Sequence, residues 1–139
     1  MPEMSHLVKY LLLTCCCLAI PALDAQVVIN EIHYEPEDKT AAEEFIELHN
    51  AAEEAVDLSG WYFSNGVIFR FPGGTVLEGG GYLVVAEDSV VLARNLSVQG
   101  ALGPWEGRLD NNGETLTLRD ASGSRVDEID YQAGFPWPL

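Results

Sequence analysis

A chain of 139 residues with 22 acidic and 7 basic side chains carries a formal net charge of −15 and fits one domain by length. So negative a surface repels phosphate backbones, which argues against direct nucleic-acid binding and suits a solvated extracellular surface or one that meets divalent cations. All three cysteines (Cys15, Cys16 and Cys17) stand near the start, so the remainder must be held by burial without disulfides.

Residues 1–25 read as a secretory signal peptide. His6 and Lys9 give a weakly basic start, Leu7 to Ile20 an apolar run, Pro21 a break, and Ala25 a small residue at the expected cleavage point. The run is short for a bilayer span, so the expected product is secreted or held at the cell surface or in the periplasm, with no membrane span after cleavage. Leu12-Leu13-Thr14-Cys15 departs from a lipoprotein attachment box at Thr14, where Gly or Ala is usual. The mature domain then covers residues 26–139.

Nearly all of it reads as strand. Gln26 to Tyr34 is β-branched and aromatic, with an alternation uneven enough to predict a strand that is bulged or partly buried on both faces. Glu35 to Ala42 is a polar loop opened by Pro36. The organising stretch runs from Glu44 to Phe63. A strand ends at Asn50, an acidic turn follows, and Leu58-Ser59-Gly60-Trp61 leads into a second strand, a hairpin-like unit expected to nucleate the core. Ser64-Asn65-Gly66 signals a tight turn into Val67 to Phe71, closed by Pro72-Gly73-Gly74. Thr75 to Glu78 is a short extended piece before the Gly79-Gly80-Gly81 turn, and Tyr82 to Ala86, apolar on both faces, predicts a central strand.

Asp88 is placed to cap a short helix through Val90 to Ala93, the one helix expected. Asn95-Leu96-Ser97 matches a glycosylation sequon and is read as chance. Gly103 to Gly107 is a loop that carries Trp105 toward the rim. After the Asp110-Asn111-Asn112-Gly113 turn, Leu116 and Leu118 alternate with Thr115 and Thr117, predicting one buried and one wet face. Asp120 to Gly123 is a further turn, and Arg125 to Tyr131 the last strand. Strands at this spacing, joined by Gly- and Asn-rich turns, predict an all-β antiparallel sandwich. No long helix is available to make parallel crossovers.

Ile29-Asn30-Glu31-Ile32, Glu44-Phe45-Ile46-Glu47-Leu48-x-Asn50, Leu58-Ser59-Gly60-Trp61 and Phe69-x-Phe71-Pro72, in this order, resemble the lamin tail domain. So do Leu77-x-x-Gly80 with Tyr82-Leu83-Val84, Asn112-Gly113-Glu114-x-Leu116-x-Leu118-x-Asp120 and Gly123-x-x-Val126-Asp127. The resemblance implies an immunoglobulin-like sandwich of the bacterial, exported branch. Such domains are accessory modules beside spore-coat-H-like kinases, secreted nucleases or phosphatases. The family pattern continues past Gly134 into a closing strand that the sequence lacks, so the expectation is an amino-terminal fragment of a longer protein.

Chemistry in the sequence is thin. Glu31-x-His33 and Glu47-x-His49 each place an acid and an imidazole on one strand face, and neighbouring strands would bring four ligands together for zinc or another transition ion. The plainer reading is half-exposed histidines beside solvated glutamates. Glu35, Glu37, Asp38, Glu43 and Glu44 could offer oxygens to calcium, without the regular loop spacing. Asp127, Glu128 and Asp130 read as a solvated cluster. No nucleophile elbow or phosphate-cradling loop is present, so no catalytic residue and no cofactor are expected beyond that calcium candidate. Trp105 and Trp137 could stack sugars, although core packing of Trp61 and rim packing of the other two is the simpler account.

The reading is a non-catalytic exported interaction or spacer module that associates with a protein or cell-surface component, by pairing along an exposed sheet edge. The alternatives are a targeting domain of a larger secreted enzyme, kinase-like or nuclease, and a carbohydrate-binding module.

Overall fold

The computed structural model describes residues 26–37 and 40–132; the expected signal peptide, the three cysteines, Asp38, Trp137 and the C-terminal stretch lie outside them. Nine strands and one helix follow in order: β1 Val27–His33, β2 Phe45–Asn50, β3 Val56–Asp57, β4 Tyr62–Asn65, β5 Phe69–Arg70, β6 Val76–Leu77, β7 Tyr82–Ala86, α1 Ser89–Asn95, β8 Gly113–Arg119 and β9 Arg125–Gln132. A three-stranded sheet in the order β1-β2-β7 faces a four-stranded sheet in the order β5-β4-β8-β9, with a ribbon of β3 and β6 at one end. Every pair of these strands is antiparallel. Among the described residues no helix is long and apolar enough to cross a membrane.

Alternation builds the core. Val27 and Ile29 of β1 and Ile46 and Leu48 of β2 meet Phe63, Leu116 and Leu118 of the opposite sheet, all buried in one cluster. Each such side chain contributes roughly 1.5–3 kcal/mol by leaving water. The expected bulge is present: the β1–β2 register shifts between Ile29 and Glu31, and this turns Ile32 back toward the core. Asp88 caps α1, its carboxylate accepting from the Val90 and Val91 amides at 2.9 and 3.1 Å, as that residue type does at helix starts.

The organising stretch is not a hairpin. β2 belongs to one sheet and β4 to the other, so the chain crosses the sandwich between them. Asn50 makes the crossing. Fully buried, its Nδ2 donates to the carbonyls of Glu54, Leu77 and Glu78 at 2.8, 3.1 and 3.2 Å, and its Oδ1 accepts from the Ala52 amide at 3.1 Å. The Ser64-Asn65-Gly66 turn is also looser than expected. Phe63 pairs with Phe69, leaving five residues in the loop, and Gly66 alone among them has a positive φ, 78°.

β7 is outer, not central; β2 takes the middle of its sheet. The apolar residues of β7 are instead covered from the side. Leu102 forms a parallel bridge to Val85, accepting from the Ala86 amide at 2.9 Å and donating to Val84 O at 2.8 Å. That single parallel pairing, reached through α1, is the exception to the antiparallel expectation. Thr117, expected wet, is 1% exposed. Its hydroxyl donates to Glu128 Oε2 at 3.0 Å and accepts from Asn65 Nδ2 at 3.4 Å, so neighbouring polar side chains close over it.

The edges at β1, β5 and β7 are each blunted over part of their length. The Ile29 amide, on the free side of β1, donates to Asp127 Oδ2 of β9 at 2.7 Å. Outside β5, Ile68 and Glu106 exchange two backbone hydrogen bonds of 2.9 and 3.0 Å, and Leu102 occupies the side of β7. Unpaired edges template association with other chains, and the outer sides of β1, β5 and β7 have neighbours at these positions.

Candidate functional site

The register sets Glu31 opposite Glu47, His33 opposite Phe45 and Val28 opposite His49. Across β2, Tyr82 lies beside His49 and Val84 beside Glu47. Ile32, Ile46 and Leu48 take the core side, so all these residues share the outer face of the three-stranded sheet. The sequence-derived constellation is therefore placed on one face, but the imidazoles do not converge on the carboxylates. His33 stacks on Phe45 with ring centroids 5.0 Å apart, and His49 on Tyr82 at 4.4 Å. Among the described residues no group of three or more His, Cys, Asp or Glu side chains could hold a metal ion. The register is the cause: each histidine lies across from a hydrophobic or aromatic residue, on either side of the carboxylate row.

What remains is a row of two carboxylates flanked by ring stacks. Directly opposed residues on antiparallel strands stand about 5 Å apart at Cβ, and like charges there are destabilising. Asn30 Nδ2 donates to Glu47 Oε1 at 2.8 Å, which meets part of that carboxylate's hydrogen-bonding need. Tyr82 is 59% exposed.

Trp105, read as a rim residue or half of a sugar platform, is a core residue. Only 6% exposed, it packs in the main cluster, so its ring faces are not open to a ligand. Trp61, expected in the core, is only partly buried against it. Trp137 lies outside the described residues.

The acidic loop is not a set of free oxygens either. Glu44 is 3% exposed; its Oε2 accepts from the Leu109 amide at 2.9 Å, and its Oε1 lies 3.6 Å from Arg108 Nε. The same Arg108 nitrogen is 3.3 Å from Glu87 Oε1. Glu43 Oε1 accepts from Asn95 Nδ2 at 2.6 Å, tying α1 down. Burial pushes the Glu44 carboxyl above its ordinary value, the Leu109 amide opposes this, Glu87 adds to it and Arg108 opposes it. Glu44, Arg108 and Leu109 border a pocket of about 210 Å³ with Pro36 and Asp110 to Asn112. A carboxyl with a raised pKa in a pocket is the kind of group general acids use. Here both its oxygens are taken up in seating the loop before β8, and its role is structural.

Glu44 was legible. Extending the β2 alternation backward from Leu48 through Ile46 sets Glu44 inward, and extending it forward does the same for Asn50. Asp127, placed with the solvated acids, plugs the β1 edge, and no local pattern marks that role.

The geometry provides a two-sheet sandwich in which Glu44, Asp88 and Asp127 accept from backbone amides. No curated protein matches the chain. A family model, the lamin tail domain, matches residues 21–133, well over half of the sequence, and that domain is a non-catalytic immunoglobulin-like fold of a kind often involved in protein interactions. The ordered motifs, the sandwich and this match agree: the chain belongs to the lamin tail domain family.

Proposed function

We propose that the chain is a non-catalytic, exported interaction module that docks a protein or cell-surface partner through the outer face of its three-stranded sheet. One observation carries this reading: that face holds an exposed tyrosine, two imidazole–ring stacks and opposed carboxylates. Exposed aromatic surface of this sort is enriched where proteins meet. Edge pairing is the weaker mode at β1, β5 and β7, whose outer sides have neighbours. The apolar run of residues 7–20 supports export, and the match to the lamin tail domain, a non-catalytic fold, supports a binding role over a catalytic one.

Photo-crosslinking in the producing cells tests it. A benzophenone amino acid replacing Tyr82 is expected to give discrete adducts on the secreted chain, and the same group replacing Arg125, on the other sheet, none. Equal labelling from both positions, or no adduct from either, overturns the reading. Intact mass of the secreted product, expected to start near Gln26, tests export.

A further inference from the structure

We propose that the outer face of the three-stranded sheet receives an arginine-bearing segment of a partner protein, whose guanidinium group sits over the Glu31–Glu47 pair and against the neighbouring rings. This rests on the interaction reading above and names the chemistry of the partner. The argument is one of complementarity, and the other outer face supplies the template.

On the four-stranded sheet the chain closes its own arginine contacts. The Arg70 guanidinium lies 4.6 Å from the Tyr62 ring centroid and its Nη1 donates to Gly60 O at 2.7 Å. Arg125 Nη1 is 3.0 Å from Glu128 Oε1, and Arg119 donates to Ser64 Oγ and Gly123 O. There one guanidinium meets a ring, at Arg70, and another a carboxylate, at Arg125. On the three-stranded sheet the outer positions are Val28, Glu31 and His33 of β1, Phe45, Glu47 and His49 of β2, and Tyr82, Val84 and Ala86 of β7. Rings and carboxylates recur, but none of these nine residues is arginine or lysine. Arg108, Arg119 and Arg125 are engaged elsewhere.

A guanidinium fits this vacancy of charge better than an ammonium. It is planar, forks onto carboxylate oxygens, stacks on aromatic rings and loses less hydration on docking. The rings are already held flat against their neighbours by stacking, so little side-chain freedom is lost on binding. The site has a closed end: Ala86 is fully buried and α1 packs on β7. The open part therefore runs from the Glu31–Glu47 row to Tyr82, room for one or two side chains of an extended segment.

The test is a heteronuclear NMR titration of the folded chain, with acetylated and amidated Gly-Arg-Gly-Arg-Gly as probe and its lysine counterpart as comparison, at about 0.15 M salt to screen generic attraction. The expected result is chemical-shift change centred on Glu31, Glu47, His49 and Tyr82. The Glu31→Gln/Glu47→Gln pair should weaken the arginine peptide about tenfold, the loss of one charge-assisted contact. Glu53→Gln/Glu54→Gln, which removes the same charge from exposed acids in the turn after β2, should change affinity less than about twofold. The lysine peptide should bind several-fold more weakly.

Shifts spread over all acidic surfaces, equal weakening by the two double variants, or equal binding of both peptides would overturn the inference in favour of generic charge attraction. Amide spectra of both variants that overlay on the parent keep misfolding from mimicking the expected loss. If the Tyr82 crosslinker captures a partner while the arginine peptide leaves this face unmoved, the module reading stands and the arginine chemistry falls.

Discussion

The two outer faces of this sandwich use the same kinds of side chain to opposite ends. On the four-stranded sheet, Arg70, Arg119 and Arg125 are each matched to a ring, a carbonyl, a hydroxyl or a carboxylate of the chain itself, and Thr117 is buried between Asn65 and Glu128. On the three-stranded sheet, Glu31 and Glu47 oppose each other and Tyr82 stands out into solvent. One face is satisfied internally and adds to stability. The other leaves a like-charge pair that folding alone does not favour, and such local conflicts concentrate where a protein acts on something else.

Both faces depend on the crossing at Asn50, and breaking it has the largest expected effect. Asn50→Ala removes four hydrogen bonds from a buried site, and is expected to cost roughly 2–4 kcal/mol at about 1 kcal/mol per bond with incomplete additivity. A urea midpoint that falls without a change in m would show this. Thr117→Val sharpens the contrast on the satisfied face. It takes the Thr117 hydroxyl from Glu128 Oε2 and Asn65 Nδ2 and should cost about 1–2 kcal/mol.

The structural acids titrate in two directions. Asp57, Asp110 and Asp120 are held below their ordinary values by hydrogen bonds, led by the Ser59 hydroxyl, the Asn112 amide and the Ser122 hydroxyl respectively. Their contribution is present above the ordinary carboxylate range and is lost as pH falls through the depressed values. Glu44 runs the other way. Its carboxyl is raised, chiefly by burial, so its contribution is full below the ordinary glutamate value near 4.5 and is lost as pH rises through the raised one. Glu44→Gln keeps an acceptor for the Leu109 amide and is expected to remove the fall in stability between that value and neutrality. An unchanged pH–stability profile in the variant would contradict the assignment.

Much of the fold was legible because its signals are local. The Asp88 cap, the Asp110 and Asp120 turns, the β1 bulge and the alternation of β2 each rest on a few neighbouring residues. What escaped was set by register and by distant chain. Nothing near Trp105 shows that its loop folds into the core, and nothing near Thr117 shows Glu128 and Asn65 closing over it. The candidate site divides the same way. Strand parity and the register set Glu31, His33, Glu47 and His49 on one face, yet their use depends on which residue each faces across the ladder. That pairing leaves two ring stacks around an acid pair, closer to the plainer reading of half-exposed histidines than to a metal shell.

The smallest expected effect is also the most telling. Glu31→Gln, measured by urea unfolding beside Thr117→Val at low ionic strength, should stabilise the chain by about 0.2–1 kcal/mol, because it relieves a directly opposed like-charge pair. The gain should shrink as salt is added. If Glu31→Gln instead destabilises the chain as Thr117→Val does, the carboxylate is part of the internal scaffold and the three-stranded face is not held open for a partner.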